Sequence, residues 1–212
     1  MLFHMGRMGR SGMGFLLAGG RSSRMGAGVD KAFLKIGGQT LVDRALSVLS
    51  EVCESVRLVA DPARFAKYES TKYGPVLADI LPGCGPLGGI HAGLASSPAE
   101  LNLMLAVDMP FVSRELLAFL IAVAEDNQAT ITVPVTGKGL QPLCAVYRRS
   151  FSGVAEQALR AGKYKIDAAF SGVSLRLIGE EELKAAGFSE RTFFNVNTPQ
   201  DRLAAEGPGS PG

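Results

Sequence analysis

The chain has 212 residues, enough to bury roughly two-thirds of the surface exposed on unfolding, so it needs no disulfide or metal staple. With 47% hydrophobic and 20% charged residues it is set apart from disordered chains, and a net charge of +2 with no Trp and no long basic run argues against nucleic-acid binding. Glycine is in excess at 26 residues and histidine is scarce at 2; the 3 cysteines are widely spaced without a Cys-x-x-Cys, which points to reduced thiols in a cytoplasmic protein.

Residues 1–13 carry no apolar stretch of the kind a secretory signal needs, and read as a disordered leader or as residues upstream of a start at Met13. Residues 15–18 predict a buried strand, and residues 41–49 a helix with Leu41, Ala45, Leu46 and Leu49 at helical spacing. Strands are expected at 56–59, 75–77 and 103–107, with helices at 62–68 and 87–95 between them. Ser113 is a good N-cap for a helix over 114–124, whose apolar face is Leu116, Leu117, Leu120 and Ile121. Strands at 130–135 and 143–147, a helix at 150–160, a strand at 173–178 and a helix at 180–186 follow. A last strand at 192–196 leads to a helix opened by Thr198 as cap and Pro199 at its first position. No apolar run approaches the roughly 20 residues a bilayer requires, so no membrane partner is expected.

Strands alternating with helices argue for a three-layer α/β domain over residues 14–206, a mostly parallel sheet covered on both faces. Residues 207–212 are turn formers only and read as a disordered tail.

Ligands of open α/β sheets bind beyond the carboxyl ends of the strands, which directs attention to the loop after the first strand. That loop, Gly19-Gly20-Arg21-Ser22-Ser23-Arg24-Met25-Gly26-Ala27-Gly28-Val29-Asp30-Lys31, combines glycines that admit an anion close to backbone amides with Arg21, Arg24 and Lys31 as cations. It outlines a polyphosphate cradle, although a flexible loop with solvated arginines has the same composition. It is not a P-loop, because no Gly-Lys-Ser/Thr follows at the required spacing. Gly83-Cys84-Gly85-Pro86-Leu87-Gly88 matches G-x-G-x-x-G literally, with Asp108 some way on, and leaves open a dinucleotide-binding oxidoreductase; a tight turn seating a helix on the sheet reads the same residues without a ligand.

Asp79 and Asp108 each follow a strand-like run. A carboxylate there beside a phosphate ligand points to Mg²⁺, which takes oxygen donors and retains waters; the other reading is a solvated turn. Asp30 reads as a loop brace paired with Lys31 or Arg24. Asn195 and Asn197, two apart, place two amides on one strand face, either toward a ligand or as caps and braces. His91 reads as a surface or packing residue, and Gln141 as a cleft or strand-start residue. Nine glycines, Gly19, Gly20, Gly26, Gly28, Gly83, Gly85, Gly88, Gly89 and Gly93, fall in or beside these two glycine-rich loops, which are expected to border one site.

Leu17-Ala18-Gly19-Gly20, Arg24-Met25-Gly26, Asp30-Lys31, Gly85-Pro86-Leu87 with Gly89-Ile90, Asp108-Met109-Pro110 and Asn195-Val196-Asn197-Thr198-Pro199 resemble, in that order, the motifs of the molybdenum cofactor guanylyltransferases. The resemblance covers nearly the whole chain outside its two ends. It implies a Rossmann-like αβα fold of the nucleotide-diphospho-sugar transferase type. It further implies transfer of GMP from GTP to molybdenum-molybdopterin with release of pyrophosphate, Mg²⁺ as cofactor, and molybdoenzymes or their chaperones as partners. By the same resemblance Leu17, Ala18, Gly19 and Gly20 contact the nucleotide, Lys31 neutralises phosphate, Asp79 binds GTP, and Asp108 binds nucleotide and metal. Asn195 and Asn197 face the pterin, and Arg24 is assigned on charge to the departing pyrophosphate. Relatives that use CTP look like Leu-Ala-Ala-Gly in the first motif and lack the Gly-Pro-Leu element, so Gly19-Gly20 and residues 85–90 favour GTP. Two departures stand out: the loop over 26–30 is slightly longer than the commonest form, and residues 58–61 lack an Asn that some relatives place there, with Asp61 nearby. A cytidylyltransferase, a sugar-phosphate nucleotidyltransferase and a non-catalytic nucleotide-binding partner of a molybdoenzyme remain alternatives.

Overall fold

A computed structural model describes residues 10–19, 30–68, 71, 73, 75–78 and 83–206. β1 (Met13–Leu17) is buried along its length, and the period of two sends Phe15 and Leu17 into one core and Leu16 into the other. After a 3-10 turn at Lys31–Phe33, β2 (Lys35–Ile36) and β3 (Gln39–Thr40) form a small hairpin. Thr40 then caps α1 (Leu41–Val52), its hydroxyl accepting from the Asp43 N–H. β4 (Ser55–Val59), a 3-10 turn at Ala66–Tyr68, α2 (Gly85–Ser96) and β5 (Leu101–Ala106) follow. α3 (Arg114–Glu125) is capped by Ser113 as its sequence predicts. The second half runs β6 (Ile131–Thr136), β7 (Gly139–Leu140), β8 (Cys144–Arg148), α4 (Phe151–Arg160), α5 (Ile166–Ala169), β9 (Leu175–Ile178), α6 (Glu180–Ala185), a 3-10 turn at Glu190–Phe193 and α7 (Pro199–Glu206).

The sheet order is β4-β1-β5-β8-β6-β9, with β7 folded back on the end of β6. β1 runs parallel to β4 and β5, and β6 parallel to β9, while β8 is antiparallel to both β5 and β6. On one face α1 and α3 cover Leu16, Leu58, Leu103, Leu105 and Val146. On the other, α2 and α4 cover Phe15, Leu17, Met104, Ala145 and Tyr147. This is the expected three-layer αβα arrangement, with β8 and the short β7 reversed.

α2 lies close against β1 because it presents glycines there. A Cβ on Gly93 would stand 3.0 Å from the Phe15 ring, and one on Gly89 would stand 3.5 Å from Leu17 Cδ2. Gly89 over Leu17 and Gly93 over Phe15 make α2 antiparallel to β1, so the helix begins at the carboxyl end of the sheet. Two of the glycines expected beside the nucleotide therefore serve helix-on-sheet packing.

Other expectations need correction. Residues 192–196 are no strand: the 3-10 turn buries Phe193, and the ladder contact of the segment is a single bond from Val196 N–H to Asp108 O at 2.9 Å. Residues 75–77 make one parallel bridge, Val59 to Leu77. The helix expected at 62–68 is replaced by turns, because Asp61 Oδ1 takes the Ala63 N–H at 3.0 Å and the following bonds close over three residues, Arg64 to Asp61 and Tyr68 to Phe65. The leader expected over 1–13 does not reach Met13: the Ser11 N–H donates to Val52 O at 3.0 Å, and buried Met13 opens β1. Residues 1–9 and the tail over 207–212 lie outside the described residues.

Candidate active site

β1 and β5 end side by side. The Val107 N–H donates to Leu17 O at 3.1 Å and the Ala18 N–H to Val59 O at 3.0 Å, so the chain leaves β1 tied to both neighbours. Leu17 and Ala18 are buried and have only backbone to offer a ligand. Gly19 is exposed, and a Cβ built on it meets nothing within 4 Å among the described residues. Gly20, Arg24 and Asp79, three of the expected nucleotide contacts, lie outside the described residues.

Lys31 opens the first 3-10 turn, where Asp30 acts as cap by accepting the Ala32 N–H at 3.1 Å. The Lys31 ammonium donates to Asp108 Oδ2 at 3.3 Å and to Asn197 Oδ1 at 3.0 Å. Three expected site residues from distant parts of the chain thus meet around one ammonium, at side chains that are mostly buried. Asp108 stands just past β5, and its carbonyl accepts the Val196 N–H, which fastens the Asn197 segment to it.

The two asparagines do not share a role. Because residues 194–198 are not a strand, period two does not apply: Asn195 Nδ2 donates to Phe193 O at 3.1 Å and braces its own turn, while Asn197 meets Lys31. Asn197 is held by a reciprocal cap. Asp201 Oδ2 accepts the N–H groups of Asn197 at 2.9 Å and Thr198 at 2.8 Å, and the Thr198 hydroxyl accepts the Asp201 N–H at 3.1 Å. The Asn197 N–H and the Thr198 bonds hold the Asp201 carboxyl below the usual carboxylate range. Asp201 escaped the reading of the sequence, although Thr198-x-x-Asp201 has the spacing of a capping box.

Gly83 (φ 86°) and Gly85 (φ 67°) occupy the left-handed region at the start of α2, which glycine alone enters without strain. Cys84 caps that helix without a side-chain bond, so its first amides point, with the positive end of the helix dipole, toward the carboxyl end of the sheet. The dinucleotide reading of this segment loses its premise, because one bridge rather than a strand precedes it. His91 is buried inside α2, its Nδ1 without a partner among the described residues. Gln141 donates to the Thr136 hydroxyl at 3.0 Å and braces the β6–β7 hairpin. Asp61 closes its own turn.

Among the described residues no three His, Cys, Asp or Glu side chains converge as a metal cage. Asp108 supplies one carboxylate whose Oδ1 has no partner among them. A single hard oxygen ligand would suit Mg²⁺, which keeps its waters and would complete its shell with oxygens of a bound phosphate. Among the described residues no helix is long and apolar enough to cross a membrane.

Known structures share this architecture. 2-C-methyl-D-erythritol 4-phosphate cytidylyltransferase from Thermus thermophilus superposes with a TM-score of 0.67 over 92% of this chain and 97% of its own, at 21% identity, which shows the fold. The MobA-like NTP transferase domain matches residues 14–173, and the protein is a nucleotidyltransferase. Molybdopterin-guanine dinucleotide biosynthesis protein A from Archaeoglobus fulgidus has a TM-score of 0.79 at 28% identity, covering 92% of this chain and 96% of its own. The molybdenum cofactor guanylyltransferase of Desulfosudis oleivorans is 35% identical over 91% of this chain and 93% of its own. That of Rhodopseudomonas palustris is 36% identical over 91% and 89%. The chain belongs to the molybdenum cofactor guanylyltransferase family.

Proposed function

We propose that the protein transfers GMP from GTP to molybdenum-molybdopterin, forming molybdopterin guanine dinucleotide and pyrophosphate. The observation that carries this reading is the Lys31 ammonium held between Asp108 and Asn197 at the carboxyl ends of β1 and β5. The names of the relatives and the Gly19-Gly20 and Gly85–Ile90 elements support guanine as the base.

In the reaction an oxygen of the molybdopterin terminal phosphate bonds to the α-phosphorus of GTP, and the bond from that phosphorus to the β-bridging oxygen breaks. Pyrophosphate leaves with the bonding pair. Little covalent work falls to side chains, so positioning and charge neutralisation dominate, which suits a chain with 2 histidines. Lys31 neutralises phosphate charge, the backbone of Leu17, Ala18, Gly19 and Gly20 lines the nucleotide, and Asp79 binds it. Arg24 takes the pyrophosphate, and Asn197 borders the pterin side, while Asn195 braces the turn before it. Asp108 holds Mg²⁺, which when bound adds charge neutralisation on the phosphates.

Mg²⁺-GTP at 100 times its dissociation constant adds about 2.7 kcal/mol to stability, or roughly 5–10 °C in thermal midpoint for a domain of this size. A shift with CTP and none with GTP overturns the base. Transfer of α-labelled phosphate to molybdopterin, and not to sugar phosphates, is the expected specificity. Asp108→Asn abolishes Mg²⁺-dependent transfer while the circular dichroism spectrum stays native; undiminished transfer rejects Asp108 as metal ligand.

A further inference from the structure

Asp30 neighbours the central lysine of the site in sequence, yet the ammonium of Lys31 points to Asp108 and Asn197. Asp30 is paired instead with Arg64. Its Nη2 lies 2.6 Å and its Nε 3.2 Å from Asp30 Oδ2, while the other oxygen, Oδ1, takes the Ala32 N–H. The Asp30 carboxylate is therefore occupied on both sides.

Arg64 is itself anchored. The turn begun by Asp61 fixes its backbone, with the Arg64 N–H on Asp61 O at 3.1 Å. Its guanidinium lies 5.6 Å from the centre of the Phe65 ring. Phe65 is fully buried and packs 5.1 Å from Phe33, at the end of the turn that carries Lys31. The Lys67 ammonium sits 4.9 Å from the rings of both Phe33 and Tyr68, and the Tyr68 hydroxyl donates to Asp43 at 2.7 Å. The segment after β4 thus grips the Lys31 turn through one ion pair and a stack of rings.

Charge makes the ion pair more than a tether. Asp30 and Asp108 carry two negative charges, Lys31 and Arg64 two positive ones. Without Arg64 the remaining three of these side chains are net negative beside the proposed triphosphate site, and a loose carboxylate stands one residue from the ammonium. We propose that Arg64 is a positioning residue of the nucleotide site: by neutralising Asp30 it keeps the Lys31 ammonium available to Asp108, Asn197 and the triphosphate. The inference rests on the proposed nucleotide site but not on the identity of the base or acceptor.

The test measures dissociation constants of Mg²⁺-GTP and of inorganic tripolyphosphate by calorimetry, with thermal midpoints followed in parallel. Arg64→Gln weakens both ligands roughly tenfold at low salt, and the loss shrinks as salt screens the exposed carboxylate. Adding Asp30→Asn to that variant keeps the cap, since Asn caps as well as Asp, and returns both constants to within about threefold of the wild type. Arg64→Lys, which keeps the charge without the fork, falls between and serves if Arg64→Gln does not fold. Wild-type affinity in Arg64→Gln, or a double variant as weak as the single one, overturns the proposal. Tripolyphosphate binding without GTP binding, with the same order of variants, refutes guanine specificity and leaves the role of Arg64 standing; a wild-type chain that binds neither refutes both.

Discussion

Two glycine-to-alanine substitutions, both inside helices, are expected to change stability in opposite directions. At Gly153, on the exposed side of α4, a Cβ meets nothing within 4 Å among the described residues. Only the helix preference then acts, and Gly153→Ala stabilises by about 0.5–1 kcal/mol. At Gly93 the same methyl would stand 3.0 Å from Cδ1 and Cγ of Phe15 and 3.4 Å from Met104 Cε. Phe15 and Met104 are fully buried on β1 and β5 with α2 pressed on them, so neither side chain has room to withdraw. Overpacking of this kind costs about 1–3 kcal/mol, which exceeds the helix gain and leaves Gly93→Ala destabilised by about 1 kcal/mol. The thermal midpoint should fall by roughly 2–4 °C, against a small rise for Gly153→Ala. Urea unfolding followed by far-ultraviolet circular dichroism, with unchanged slopes, reads the difference directly. If Gly93→Ala stabilises as much as Gly153→Ala, the close seating of α2 on β1 does not depend on that glycine, and the account of how α2 is aimed at the site fails.

Acid should unfold the protein partly through two carboxylates in first turns of helices, Asp43 of α1 and Asp201 of α7. Burial alone would raise Asp43, but hydrogen bonds from Thr40 and Tyr68 and the Lys67 charge bring it below its ordinary value; Asp201 is lowered by the Asn197 N–H and the Thr198 bonds. Groups depressed in this way contribute fully above the unfolded aspartate value of about 3.9 and lose that contribution as pH falls through their native values. Urea midpoints are therefore expected to hold from neutral pH to about pH 5 and then decline. Asp43→Asn with Asp201→Asn should flatten the decline, and an unchanged slope contradicts the assignment. Thiol labelling gives an independent check on the core. Burial pushes Cys53 and Cys144 up to about 12, whereas Cys84 at the start of α2 is partly exposed. A native chain at pH 8 should show one fast thiol, removed by Cys84→Ser, and all three in urea; fast labelling of the remaining two refutes their burial.

Much of the fold was legible because local periodicity and capping decide it. The apolar spacing of Leu41, Leu46 and Leu49 and the cap at Ser113 specify α1 and α3 whatever surrounds them. Residues 192–196 look like a strand to the same rules, yet a strand exists only where a neighbour offers a ladder, and Asp108 offers one carbonyl. Asn195 and Asn197 could not be told apart for that reason.

The kinds of residue the site uses, and the order of motifs that carry them, are properties of the sequence by itself: Lys31, Asp108 and Asn197 are chemically apt wherever they stand. That they meet around one ammonium is a matter of tertiary structure, since 77 positions separate Lys31 from Asp108 and 166 separate it from Asn197. The glycine excess divides in the same way. Its size is visible in the composition, but only packing shows that Gly89 and Gly93 lie against β1, because the absence of a side chain acquires meaning only from what occupies its place. Asp30 likewise reads as a loop brace in sequence, and only the fold shows that its partner is Arg64, since ion pairs are chosen by proximity in space.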